Sequence, residues 1–98
     1  MQFRFEAELV YWRGPSPFFF APIPPHHAEE LRQVSRLVTY GWGIVPVEAT
    51  IGSTIFQTSL FPKEKTYLLP LKAAVRRKVN ITAGELISVK MIVQPVER

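Results

Sequence analysis

The sequence predicts a mainly β fold: one small barrel of six or seven strands, with one longer and one short helix. Three observations carry this. Most segments alternate polar and apolar residues with a period of two, as half-buried strands do. Helical spacing interrupts that alternation twice, near residues 26–38 and 72–79. The order strand, proline, helix, glycine, strand also occurs twice, once from Phe20-Ala21-Pro22-Ile23 to a strand beginning at Trp42, and once from Leu69-Pro70-Leu71 through Gly84 to Leu86. Two such halves can close on each other into a pseudo-symmetric barrel that leaves few exposed edges.

Residues 2–12 alternate cleanly. Phe3, Phe5, Ala7, Leu9 and Tyr11 share one face, and Gln2, Arg4, Glu6, Glu8 and Val10 the other. Arg13-Gly14-Pro15-Ser16-Pro17 ends this strand as a loop. Phe18 to Ile23 is a second strand, placed at a sheet edge because Pro22 has no N–H for a ladder. Pro24-Pro25 opens a helix over 26–38, with Glu29 and Glu30 near the positive end of its dipole. Ala28, Leu31, Val34 and Val38 make its apolar stripe, Arg32 and Arg36 lie near the other side, and Gly41 is a left-handed cap.

Trp42 to Ile51 is the next strand, with Val45, Val47, Ala49 and Ile51 on one face. Gly52-Ser53 is a hairpin turn and Thr54 to Phe61 returns from it. Pro62-Lys63-Glu64-Lys65 is a polar turn, and Thr66 to Leu71 a strand interrupted by Pro70. A short helix covers Lys72 to Val79, and Leu86 to Val93 is the last strand. Thr82-Ala83-Gly84-Glu85 has the spacing of a helix capping box. The β-branched run that follows it favours a strand instead, with Gly84 supplying a positive φ in a turn.

The chain of 98 residues makes one domain, 1–98, with one modest core. Cysteine is absent, which removes disulfides, thiolate nucleophiles and thiolate metal sites. No segment approaches the roughly 18–20 apolar residues of a membrane span. The opening residues alternate where a secretion leader is continuously apolar, so the expectation is a cytoplasmic protein without a membrane partner. Charge is uneven. Residues 1–60 carry four Lys/Arg and five Glu, and residues 61–98 carry eight Lys/Arg and three Glu. A one-sided basic surface attracts polyanions, although a solvated face that keeps the protein soluble has the same composition.

Two resemblances follow from these residues. LLPLKAAVRRKVNITAGELISV resembles the half-barrel motif of AbrB/MazE-type regulators and antitoxins, through Pro70, Arg76, Ile81, Gly84 and Glu85. Glu85 stands where that pattern more often has Asp. The longer stretch from GWGIVPVEA to AGELISV, with the leading FEAEL and FAPIP, resembles a family of small bacterial proteins classed as a domain of unknown function. That resemblance spans nearly the whole chain. It implies a double-split β-barrel formed within a single chain, and it brings no catalytic residue.

Candidate sites are few. His26-His27 with Glu29 and Glu30 has metal-ligating residue types, but helical neighbours point about 100° apart and two ligands are too few, so a polar first turn is expected and no metal or cofactor. The chain has no Asp, no Gly-x-Ser-x-Gly elbow and no phosphate-binding glycine loop, so no catalytic residue is named. Lys72, Arg76, Arg77 and Lys78 form the best polyanion-binding set. The competing role is solvent-facing charge, with Arg76 or Arg77 paired to Glu85 or Glu64. Trp12, Tyr40 and Trp42, with Tyr11 and Phe61 beside them, could line an aromatic groove, or build the core as aromatics do in small barrels.

The leading expectation is therefore a non-enzymatic binding or interaction domain, a monomer or weak homodimer, whose ligand the sequence does not identify, a nucleic acid or another protein being the candidate partners. The alternative is DNA binding through the basic C-terminal half. A small-molecule sensor or an enzyme ranks below both, for want of an acid–base constellation.

Overall fold

Alternation becomes burial along β1 (Gln2–Glu8), where Phe3, Phe5 and Ala7 point inward and the residues between them outward. The computed structural model describes residues 2–14, 18–38 and 44–94, with the backbone alone over 34–38. Expectations placed on Tyr40, Gly41 and Trp42, and on the side chains of Val34, Arg36 and Val38, lie outside the described residues. The remaining elements are β2 (Val10–Trp12), β3 (Phe18–Pro22), α1 (Pro25–Val38), β4 (Val45–Ile51), β5 (Thr54–Lys63), β6 (Thr66–Pro70), α2 (Ala73–Val79) and β7 (Leu86–Val93).

All pairings are antiparallel, in the order β1-β7-β4-β5-β6-β3-β2. The two ends of that order are one continuous piece of chain. β1 pairs β7 through residue 8, β2 pairs β3 from residue 10, and Leu9 is the joint between them. Leu9 donates its N–H to the Glu85 carbonyl at 2.9 Å and accepts from the Gly84 N–H at 2.7 Å. β5 divides in the same way, with Thr54–Leu60 on β4 and Phe61–Lys63 on β6. Two strands that each split between two neighbours make this the double-split β-barrel.

The halves also exchange strands. β4, which closes the first half, pairs β5, which opens the second; β7, which closes the second, pairs β1, which opens the first. Like elements pair across the pseudo-twofold, β3 with β6 and β4 with β7. The core lies between, built on Leu9, Ala21, Ile23, Ala28, Leu31, Val45, Val47, Leu60, Leu69 and Met91.

Several expectations are corrected. Residues 2–12 are two strands, because the chain passes from one partner to another at Leu9; Tyr11 consequently leaves the buried face and is 39% exposed. β3 is not an edge strand, since β2 and β6 flank it. Pro22 is tolerated because β2 pairs only Phe18–Phe20, so no ladder N–H is required of it on that side. Pro46 sits in β4 for the same reason, just past the last β7 partner of Val47. Pro62 is in the β5–β6 ladder opposite Tyr67, and the turn is the pair Glu64-Lys65, with Glu64 at φ +55°. Pro70 ends β6 instead of interrupting it. Glu29 and Glu30 fall beyond the first turn of α1, which starts at Pro25. The Gly52 turn (φ +60°) and the Gly84 turn (φ +92°) form as expected. No helix follows Thr82, yet Glu85 still reaches back to accept from the Thr82 N–H, the side-chain half of a capping box used to close a β-turn.

α1 is tied down at three points. The Thr66 hydroxyl donates to Ile23 O at 2.7 Å just before it, and Arg32 donates to Lys65 O at 2.7 Å from its middle. His27 Nε2 donates to Arg4 O at 3.1 Å, and its ring lies edge-on to Phe3 at 5.2 Å. His27 is thus half-buried against β1 and fixes helix to strand; the expected polar first turn holds for His26 and not for His27. Among the described residues no helix is long and apolar enough to cross a membrane.

Candidate functional site

α2 is short, seven residues, and buries none of them fully. It is helical because Ala73, Ala74 and the basic residues favour helix, and it ends where Asn80 takes the left-handed conformation at φ +55°. Val75 and Val79 turn toward the core, beside β5. Lys72, Arg77 and Lys78 are exposed, as the charge pattern suggests.

Arg76 departs from that set. Its guanidinium lies over the Phe19 ring at 3.7 Å, and Nε donates to Leu71 O at 3.2 Å. Neither Arg76 nor Arg77 forms an ion pair with Glu64 or Glu85; among the described residues the Arg32–Glu29 ion pair is on α1, where His27 Nδ1 also lies 3.7 Å from the Glu30 carboxylate. A planar cation on an aromatic face braces α2 against β3 more specifically than a surface ion pair could.

From Phe19 the stack continues. The Tyr11 ring is 4.7 Å from Phe19, its cross-strand partner, and the Arg13 guanidinium stands 6.0 Å from Tyr11. One face of the β2–β3 ribbon therefore carries a ladder Arg76–Phe19–Tyr11–Arg13, cation at each end and rings between. The opposite face carries Trp12, edge-on to Phe18 at 5.5 Å, with the Lys63 ammonium 5.9 Å from the indole. Trp12 is 40% exposed and Phe61 46%. Phe3, Phe5, Phe20 and Tyr67 are buried, so the aromatic residues divide between core and surface.

Of the aromatic set, Trp12 is on the ribbon and Tyr40 and Trp42 are outside the described residues. Sequence reading missed Phe18, Phe19, Arg13 and Lys63. The signal was Phe18-Phe19-Phe20: three consecutive rings on a strand cannot all point to one core, so one face must be furnished outside it. Among the described residues no three His, Cys, Asp or Glu side chains gather into a group that could hold a metal.

The family model described as Domain of unknown function (DUF1905) matches residues 5–91. The chain belongs to this family. The DUF1905 match takes in the second half of β1, all of β2 to β6, both helices and β7 up to Met91, so the ribbon and α2 lie inside it. No curated protein matches the chain in sequence.

Proposed function

We propose that the chain is a non-enzymatic binding domain, cytoplasmic in setting, whose partner is a single-stranded nucleic acid held by α2 and the β2–β3 ribbon. The observation that carries this is the ladder Arg76–Phe19–Tyr11–Arg13, which joins an exposed ring to α2, where Arg77 and Lys78, with Lys72 just before the helix, are exposed. Cations beside accessible rings suit a strand whose phosphates and unstacked bases are both available. Duplex DNA offers phosphates alone to such rings. The half-motif likeness to AbrB/MazE-type DNA binders favours the same surface and is the ground for the duplex alternative.

The test is fluorescence anisotropy with labelled single-stranded DNA, single-stranded RNA and duplex DNA at two salt concentrations. Single strands should bind tightest, with affinity falling steeply as salt rises. Lys72→Ala/Arg77→Ala/Lys78→Ala should weaken binding and flatten the salt slope, with Arg76 retained because it braces the fold. Tyr11→Ala should weaken single-strand binding by about fivefold or more without changing the slope. Equal binding to duplex with no effect of Tyr11→Ala would shift the assignment to phosphate contact alone. Absence of binding at low salt would overturn it.

A further inference from the structure

A cleft lies on the other sheet half, and no residue of the ribbon or of α2 is among those that line it. Residues of β1, β7 and β4, with Gly52 of the hairpin turn, line this open cleft of about 590 Å3. Arg4 stands directly opposite Lys90, Lys90 directly opposite Thr50, and Glu6 opposite Ser88. All of these line the cleft.

Two cations in direct cross-strand opposition repel each other and weaken the sheet. Neither Arg4 nor Lys90 has an ion-pair partner among the described residues, where the pairs are confined to α1. Glu6 lies on the diagonal from Lys90 and yet forms no pair with it. The two positive charges thus face the cleft without an ion pair, against the single carboxylate of Glu6, with the Ser88 and Thr50 hydroxyls beside them as further donors.

We propose that this cleft binds a small organic anion, its carboxylate or phosphate gripped between Arg4 and Lys90. The guanidinium fork can meet two oxygens of such a group while the ammonium takes a third bond. Glu6, an acceptor at the same cleft, selects an anion that also carries a hydroxyl or amino donor. It disfavours a polyanion, which would bring a second negative charge against it.

The experiment is an amide-resolved NMR titration of the whole chain with glycerol 3-phosphate, with lactate, and with sodium chloride at matched ionic strength. The organic anions should give saturable shifts at Arg4, Thr50, Ser88 and Lys90 that chloride does not. Saturation by both assigns a general anion site, and by one alone names the phosphate or carboxylate source. Arg4→Gln and Lys90→Gln should each weaken binding about tenfold or more, and Glu6→Gln should strengthen it. Arg4→Gln should melt no lower than the wild type, because it relieves the opposition, so lost binding is not lost fold. Shifts that match chloride, or that survive both glutamine variants unchanged, would overturn the assignment.

Discussion

The indole of Trp12 occupies the space a side chain on Gly14 would need: a Cβ there would stand 2.0 Å from the ring. The chain leaves β2 by folding back over its own tryptophan, and only glycine permits that approach. Gly14→Ala should push the half-exposed ring away from Phe18 at a cost below about 1 kcal/mol, since a surface ring can move. The Trp12 indole N–H resonance, assigned by comparison with Trp12→Phe, should shift while the melting curve barely changes. A loss of several kcal/mol would show the ring to be locked in place.

Arg76 and Arg77 are neighbours in sequence with different duties. Arg76→Ala removes the stack on Phe19 and the bond to Leu71 O, and should cost about 1–3 kcal/mol in urea unfolding. Arg76→Lys keeps the charge and should recover only part, because an ammonium cannot lie flat on a ring. Arg77→Ala, at an exposed position, should stay within about 0.5 kcal/mol of wild type. Equal losses at the two positions would contradict this division.

Leu9 is fully buried at the joint between β1 and β2. Leu9→Ala should cost about 2–5 kcal/mol, a large fraction of the stability of so small a domain. Leu86→Ala, two-thirds exposed, should be nearly neutral in the same denaturation series. The contrast is informative because the residues are alike and differ only in burial.

Glu64 and Asn80 hold left-handed backbone without being glycine. Glu64→Gly should stabilise by about 0.5–1 kcal/mol, relief of the left-handed strain outweighing the added freedom of the unfolded chain. Gly84→Ala, at φ +92°, should destabilise by about 1–2 kcal/mol although nothing lies within 4 Å of its Cβ position. Thermal melts of the two variants should move in opposite directions.

Much of this was legible in the sequence. The inward faces of β1 and β4 follow from alternation at Phe3-Phe5-Ala7 and Val45-Val47-Ala49. The turns at Gly52 and Gly84 follow from residue type, and the exposed cations of α2 from helical spacing. What escaped depends on partners distant in sequence. Nothing in residues 2–12 marks Leu9 as the point where one neighbour is exchanged for another. Pro22 and Pro46 look like edge markers until the register shows how short the adjoining ladders are. Arg76 reads like Arg77, because the ring that most sets them apart, Phe19, is 57 positions away. Arg4 and Lys90 lie still further apart along the chain, so their opposition could not be read without the β1–β7 register.

The exchange of strands between the halves also bears on how the molecule comes into being. β1 precedes every other described element, and its ladder partner among the described residues, β7, follows all of them. A chain emerging from the ribosome cannot close its barrel in passing; β1 waits, its phenylalanines unpartnered, for roughly 80 further residues, several seconds of synthesis. Folding is therefore a late and largely concerted event, slowed by long-range pairing, and the nascent Phe3 and Phe5 are the surface on which a holding chaperone would act.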